Sequence, residues 1–328
     1  MSQTWIENDL KYKINSVFNF YTKLILKKNN NQLLDKFKSI MYDNHFLVEE
    51  NRTTVKQLSS KLERSGLVSP HWLKFSEEME KVFFSDPMNF LSKRPFLGTI
   101  SIASLPGNRE ISFYLKEIEN NLDSNLLHYL LIDNYVGLPP IASSHYKSTF
   151  TRVQHMYQLS LYNKLTQTDL RVENIKVLEI GGGYGDLAIL FHRYLQCNFT
   201  HVIIDLPVMC YIQYVYLTSI LGDRVHVLMH ENDKIVKNAI NIVPINFLDN
   251  LSVNIDFFIA TYSLTESTFN FYNAIVNKNF FNAKKFFVAH QSNNQKFIDG
   301  REIANQMRER LSLSFFHNGL ENGNFLFK

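Results

Sequence analysis

A chain of 328 residues, 45% of them hydrophobic and with 27 Phe and 16 Tyr, is long enough to pack one large or two modest domains. Its formal charge of +3, from 34 basic against 31 acidic residues with no basic block, speaks against a dedicated nucleic-acid binder, which carries a clustered basic face. The two cysteines, Cys197 and Cys210, make no disulfide framework, Met1–Lys13 is too polar for a signal peptide, and no apolar run approaches the about 20 residues that cross a bilayer. The expectation is a soluble, cytoplasmic protein, and the heavy use of Asn and Lys with only 12 Gly points to an AT-rich bacterial genome.

Residues 1–130 read as a mainly helical N-terminal lobe or lid. Val17, Phe18, Tyr21, Leu24 and Ile25 fall at helical spacing before the polar break Asn29–Asn31, and Gln57–Gly66 has the pattern of a short helix closed by glycine. Pro70, Pro87, Pro95 and Pro106-Gly107 punctuate the next stretch of chain, with no chemical motif among them. Tyr135–Pro140 is a loop. A helix then runs to about Leu165, with an apolar stripe of Val153, Met156, Tyr157, Leu161 and Leu165. His145 is placed at the entrance of that helix, where a side chain can reach a cleft; Arg152 and His155 are weaker candidates.

From about Lys176 the pattern alternates strand and helix. Val177, Leu178 and Ile180 read as a buried strand, Tyr184–Gln196 as a helix, His201–Asp205 as a second strand, and Val208–Leu221 as a helix ended by Gly222. Val225–Met229, Asn241–Val243, Ile255–Ala260 and Lys285–Ala289 read as further strands. Alternation of this kind predicts a doubly wound α/β sheet, mostly parallel, in residues 131–328, with ligands beyond the carboxyl ends of its strands.

The first strand ends in Glu179-Ile-Gly181-Gly-Gly183-Tyr-Gly185. Glycines let the backbone approach a ligand, and the helix after them presents free N–H groups. Asp205, at the end of the next strand, can accept two hydrogen bonds from a ribose diol. Acids at both Glu179 and Asp205 suit a ligand with positive charge and no phosphate, such as S-adenosylmethionine. A dinucleotide is the rival, because Gly183-Tyr-Gly185-Asp-Leu-Ala188 also fits Gly-x-Gly-x-x-Ala; Asp186 would then face a pyrophosphate, and Glu179 would have no task.

Leu178–Gly185 resembles the first motif of class I S-adenosylmethionine-dependent methyltransferases. More narrowly, the Gly-Gly-Gly-Tyr-Gly turn, Ile204-Asp-Leu-Pro207, Gln213-Tyr214 on an aromatic helix and Asp256–Glu266 resemble a family of sugar O-methyltransferases from bacterial surface-polysaccharide and natural-product clusters. The likeness covers about 130–291, and Asp186 stands where family members often have a small residue. It implies a Rossmann-like methyltransferase sheet. It further implies that Gly181, Gly183, Tyr184 and Gly185 line the methionine end of the cofactor, that Asp205 holds the ribose, that Leu206 flanks the adenine, and that Val243-Pro244-Ile245 forms the far side of the adenine slot.

The expected reaction is in-line methyl transfer to a hydroxyl of a sugar or glycosylated small molecule, which needs the acceptor oxygen opposite the sulfur. Positioning can supply roughly 7–11 kcal/mol and a general base about 3–5 kcal/mol. His290 and Glu266, each beyond the end of a strand, and His145 from the lid side are the candidate bases. Asp249, Asp256 and Glu266 form no tight carboxylate pair, so no metal is expected. A non-sugar acceptor (a polyketide, peptide or amine) and a catalytically silent cofactor-binding or interaction module are the alternative readings. A homodimer is compatible with either.

Overall fold

The computed structural model describes residues 31–43, 45–63, 65–101, 108–171, 174–196, 199–291, 297, 299–320 and 323–328. The helical stripe at 17–25, Cys197, Pro106-Gly107 and the polar run after Gln291 lie outside the described residues. The helices are α1 (Asn31–Lys38), α2 (His45–Leu62), α3 (Pro70–Ser85), α4 (Arg109–Glu119), α5 (Ser124–Leu131), α6 (Phe150–Thr166), α7 (Asp186–Tyr194), α8 (Pro207–Leu221), α9 (Phe269–Asn277) and α10 (Gly300–Leu311). None of the described helices is long and apolar enough to cross a membrane.

The protein is an α/β fold whose central sheet has eight strands among the described residues: β1 (Ile175–Ile180), β2 (Phe199–Asp205), β3 (Val225–Val227), β4 (Ile240–Pro244), β5 (Phe257–Thr261), β6 (Lys285–His290), β7 (Ser314–His317) and β8 (Asn324–Phe327). Their order is β3-β4-β2-β1-β5-β6-β8-β7. The first six run parallel, and β8 is antiparallel to both β6 and β7. The chain leaves β1 toward β2 and later returns to its other side with β5, so the winding reverses at β1. In such a sheet the crevice for a ligand opens at the carboxyl ends of the strands at that reversal.

Central parallel strands are covered on both faces and read as near-continuous apolar runs. β1 and β2 obey this, with every residue of each buried except Lys176 and Asp205. Lys176 donates its backbone N–H to Asp256 Oδ2 (2.9 Å), which spends that carboxylate at the amino end of the sheet. One sheet face carries Leu178, Ile180, Val202, Ile204, Phe258 and Val288, in one core cluster with Leu58 and Leu62 of α2, Phe271 and Ile275 of α9 and Ile303 and Met307 of α10. On the other face, Phe257 packs against Tyr162 (4.9 Å between ring centroids) and Phe191 of α7 (6.3 Å).

The chain divides into two compact units, 1–45 with 78–160 and 46–77 with 161–328; the second holds the whole sheet. Within the first, Tyr114 of α4 stacks on Tyr157 (4.5 Å), and Thr149 donates to the buried Asp133 (2.8 Å). The helix expected over Gln57–Gly66 is the end of the longer α2, and the expected strand 225–229 stops at Val227. The β7–β8 pair extends the sheet beyond the strands read from sequence.

Candidate functional site

The turn Gly181–Gly185 joins β1 to α7 at the reversal point. Its entry is fixed by Gly181 N–H donating to Ile204 O (2.9 Å) and its exit by Gly185 N–H donating to Gly182 O (2.9 Å). Gly185 has φ +96° and caps α7 in the left-handed region, where a Cβ is penalised. Gly181 has φ +72°, and a Cβ there would collide with Ser263 Cβ, whose hydroxyl donates to Ile180 O. Ser263 therefore pins the turn after β5 onto the glycine turn. Tyr184 is buried, its hydroxyl donating to Asp186 Oδ1 (3.2 Å) and its ring edge-on to Tyr216 of α8 (5.2 Å), so it can offer a ligand only its backbone.

Asp205 closes β2. Its Oδ1 accepts Leu206 N–H (2.8 Å), and its Oδ2 accepts Gln213 Nε2 (2.7 Å). The same Gln213 Nε2 donates to Gly183 O (2.9 Å), tying the glycine turn to the acid. Burial, with the nearby charge of Glu179 adding to it, pushes the Asp205 carboxyl up to about 7, against the pull of its three hydrogen bonds. Gln213 is fully buried on α8, and its Oε1 has no partner among the described residues. Sequence reasoning assigned Gln213 no role. A lone amide in the apolar run Val208–Leu221 is the signal that was available, because a buried amide needs partners. Leu206 precedes Pro207, the first residue of α8, and is half-buried. Pro244, at the end of β4, lines a cleft with Pro207, Tyr211, Tyr214, Met229 and Leu58.

Glu179 is 1% exposed, with its carboxyl beneath the turn at Gly182 and its Oε2 3.0 Å from Nε2 of the fully buried His201. His201 carried no role in the sequence reading either. Glu266 ends the short 3-10 turn Ser263–Glu266 after β5 and accepts Gln291 Nε2 (3.4 Å). That contact brings the ends of β5 and β6 together. His290, the last residue of β6, is half-buried beside Phe315 (6.1 Å), and burial holds its imidazole below the usual histidine range. His145 does not open a helix. It sits in the turn between the short paired strands Ile141–Ser143 and Ser148–Thr149 of the first unit, exposed, with its ring against His128 (4.9 Å) and Tyr146 (4.6 Å). The backbone pairing of Ser148 back onto Ser143 delays α6 to Phe150. Among the described residues no three His, Cys, Asp or Glu side chains converge as metal ligands.

These elements define a doubly wound α/β protein with a glycine-rich crevice at the winding reversal. Among solved structures the chain is similar to an S-adenosylmethionine-dependent methyltransferase from Aquifex aeolicus (12% identity over 50% of this chain and 86% of that one, TM-score 0.32). It is also similar to magnesium protoporphyrin IX methyltransferase from Synechocystis with bound S-adenosylmethionine (14% identity, 69% and 98%, TM-score 0.37) and to the CurJ carbon methyltransferase (10% identity, 94% and 98%, TM-score 0.37). No protein-family model and no curated protein matches the sequence.

Proposed function

We propose that this chain is an S-adenosylmethionine-dependent O-methyltransferase whose acceptor is a hydroxyl of a sugar or glycosylated small molecule. The observation that carries the cofactor is the acid–glycine–acid arrangement at the winding reversal: Glu179 beneath the turn, Gly181 and Gly185 in the left-handed region, and Asp205 on the neighbouring strand. The fit to such a cofactor rests on Gln213 Oε1, a buried acceptor with no donor among the described residues, on the amide that also holds Asp205. The acceptor class rests on the sequence resemblance alone.

When bound, S-adenosylmethionine supplies a methyl group activated by a sulfonium. Glu179 offsets the positive methionyl end. The backbone of Gly181, Gly183, Tyr184 and Gly185 approaches that end without side chains in the way. Ionised Asp205 takes the ribose diol, and Leu206 and Pro244 flank the adenine. The acceptor hydroxyl must lose a proton as its oxygen takes the methyl. His290, kept neutral at physiological pH by its burial, can receive that proton on a ring nitrogen; Glu266 is the alternative receiver on the adjoining strand end. A dinucleotide fits less well, because Asp186, 1% exposed in the first turn of α7, places an acid where a pyrophosphate would lie.

The test is a thermal shift with S-adenosylhomocysteine and, separately, NADH. At about 100 times its dissociation constant, a ligand of the native state adds about 2.7 kcal/mol of stability. A rise of several degrees with S-adenosylhomocysteine alone, abolished in Asp205→Ala, is the expected outcome. A rise with NADH alone overturns the methyltransferase reading. With the donor site secured, turnover of sugar acceptors against phenolic, amine and peptide acceptors tests the acceptor class.

A further inference from the structure

The side-chain amide of Gln213 is only half engaged by the protein. Gln213 lies on α8 with none of its surface exposed, and its Nε2 donates to Gly183 O (2.9 Å) and to Asp205 Oδ2 (2.7 Å). Both partners are acceptors, so the orientation of the amide is fixed: its nitrogen faces the acid and the turn, and Oε1 is the end left over. That oxygen is buried and accepts nothing among the described residues. Two donors at the same turn are committed elsewhere, Tyr184 OH to Asp186 Oδ1 (3.2 Å) and Cys210 Sγ to Asp205 O (3.4 Å). A buried acceptor without a donor is unfavourable, and native folds retain few of them.

The glycine turn is shaped around this amide. A Cβ on Gly182 would meet Ile203 Cγ2 at 2.6 Å and Gln213 Nε2 at 3.2 Å. Gly182 is not among the glycines with positive φ, so the space taken by Ile203 and Gln213, and not the backbone conformation, calls for glycine there. Asp205 in turn already accepts three hydrogen bonds: Leu206 N–H on Oδ1 (2.8 Å), Gln213 Nε2 on Oδ2, and the backbone N–H of Gly183. An ionised carboxylate offers about four acceptor sites. One site remains, and a ribose diol brings two donors. The acid cannot take both hydroxyls while it keeps its own bonds.

Building on the methyl-donor reading above, we propose that the ribose is shared: Asp205 accepts one hydroxyl of the diol, and Gln213 Oε1 accepts the other. Gln213 is then a cofactor-binding residue as well as the tie between the glycine turn and the acid. The two hydroxyls are read by different side chains, one on β2 and one on α8. A ligand lacking the hydroxyl that Gln213 reads leaves Oε1 buried and without a donor, and a site built to bond a hydroxyl discriminates strongly against such an analogue.

The experiment is calorimetric binding of S-adenosylhomocysteine and its 2′-deoxy and 3′-deoxy analogues to wild type, Gln213→Met and Asp205→Asn, all at about pH 9, where Asp205 is ionised. Methionine keeps the length of the glutamine side chain and lacks both amide atoms. Each cost is a ratio to S-adenosylhomocysteine within one protein, so a change of Asp205 ionisation common to the three ligands cancels. Wild type is expected to bind each analogue about tenfold more weakly than S-adenosylhomocysteine. In Gln213→Met one analogue is expected to come within about twofold of S-adenosylhomocysteine while the other keeps its full cost. In Asp205→Asn the analogue that lost its cost in Gln213→Met is expected to keep it, and the other is expected to lose most of its own.

Wild-type costs for both analogues in Gln213→Met overturn the proposal, because Gln213 then touches neither hydroxyl. Costs that shrink together in that variant overturn it too, because Gln213 then acts only by holding Asp205. So does a wild type that binds all three ligands equally. Should Gln213→Met fail to fold, Asp205→Asn decides: a full cost kept against one analogue alone supports the shared ribose, and equal costs against both overturn it. Failure of the wild type to bind S-adenosylhomocysteine sinks the methyl-donor reading and this proposal with it, an outcome distinct from each of the others.

Discussion

At the scale of single residues the site trades stability for a charge. Asp205 is hydrogen-bonded three ways, yet its carboxyl sits at about 7 because burial and the Glu179 charge outweigh those bonds. Its unfolded value is about 3.9. Between those values the folded chain keeps a proton that the unfolded chain has lost, so stability falls as pH rises across that window, and the full cost is in place above it. Asp205→Asn removes the cost. The new amide also meets Gln213 Nε2 as a second donor, which offsets part of the gain. We expect the variant to be roughly 2 kcal/mol more stable than wild type in urea melts near pH 8, and the sign of the difference to reverse by about pH 4.5, where most of the cost has gone and the second donor remains. Binding runs the other way. A ribose diol needs the ionised acid, so wild-type affinity for S-adenosylhomocysteine is expected to be about tenfold weaker at pH 6 than at pH 8, and Asp205→Asn should lose that dependence. An Asn variant that is less stable than wild type at pH 8 would contradict the burial argument.

The same scale shows what the sequence discloses. Glycines spaced between two acids are legible because the backbone geometry they permit has few other uses. Gln213 and His201 are not, since their partners Gly183 and Asp205, and Glu179, are reached only across strands or from a helix onto a strand. Tyr262 is a further case. It holds φ +74° at the end of β5, a conformation that is an outlier for a bulky residue, fixed by its N–H to Ala289 O (2.9 Å) and by the 3-10 turn after it. Nothing in the local string Ala-Thr-Tyr-Ser announces it.

Among the elements, the parallel strands and the helices between them were readable from buried apolar runs bounded by glycine or proline. The β7–β8 pair was not. Ser314–His317 is an edge strand whose residues are half-buried or exposed, and Asn324–Phe327 is short enough that its burial against β6 is set by the fold. The turn after β5 matters most for the proposed chemistry, because it carries both Ser263 and Glu266. It is braced from α10, where a Cβ on Gly300 would collide with the Thr265 carbonyl oxygen. Gly300→Ala must push that turn aside, at the roughly 1–3 kcal/mol of an overpacked contact. The expected signature is a melting temperature several degrees lower, S-adenosylhomocysteine affinity within about threefold of wild type, and a larger loss in methyl transfer, since Glu266 moves while Asp205 and Gln213 do not. Equal losses in binding and turnover would place the turn outside the acceptor side of the site.

For the whole molecule, the compact unit that holds the sheet is assembled from two stretches of chain, 46–77 and 161–328. The sequence shows a change of pattern near residue 130, which proposes 131–328 as a methyltransferase domain; it does not show a contribution from the earlier stretch. Leu58, Leu62 and Val68 share one core cluster with Leu178, Val243, Phe258 and Ile275. Polar ties reinforce them: Asn246 Nδ2 donates to Leu58 O (3.0 Å), and Thr268 Oγ1 donates to Gly66 O (2.9 Å). A fragment of 131–328 would expose the apolar surface that these side chains cover, and burying a Leu or Val side chain is worth about 1.5–3 kcal/mol. Three such losses consume much of the 5–15 kcal/mol that holds an ordinary domain together. The fragment is therefore expected to melt without a sharp transition and to bind no S-adenosylhomocysteine, whereas 46–328 keeps both stretches and is expected to bind it. Amide exchange and calorimetry on the two fragments decide the matter. Cooperative melting and full-affinity binding by 131–328 would show that the earlier stretch is dispensable and would make the boundary at 130 the functional one.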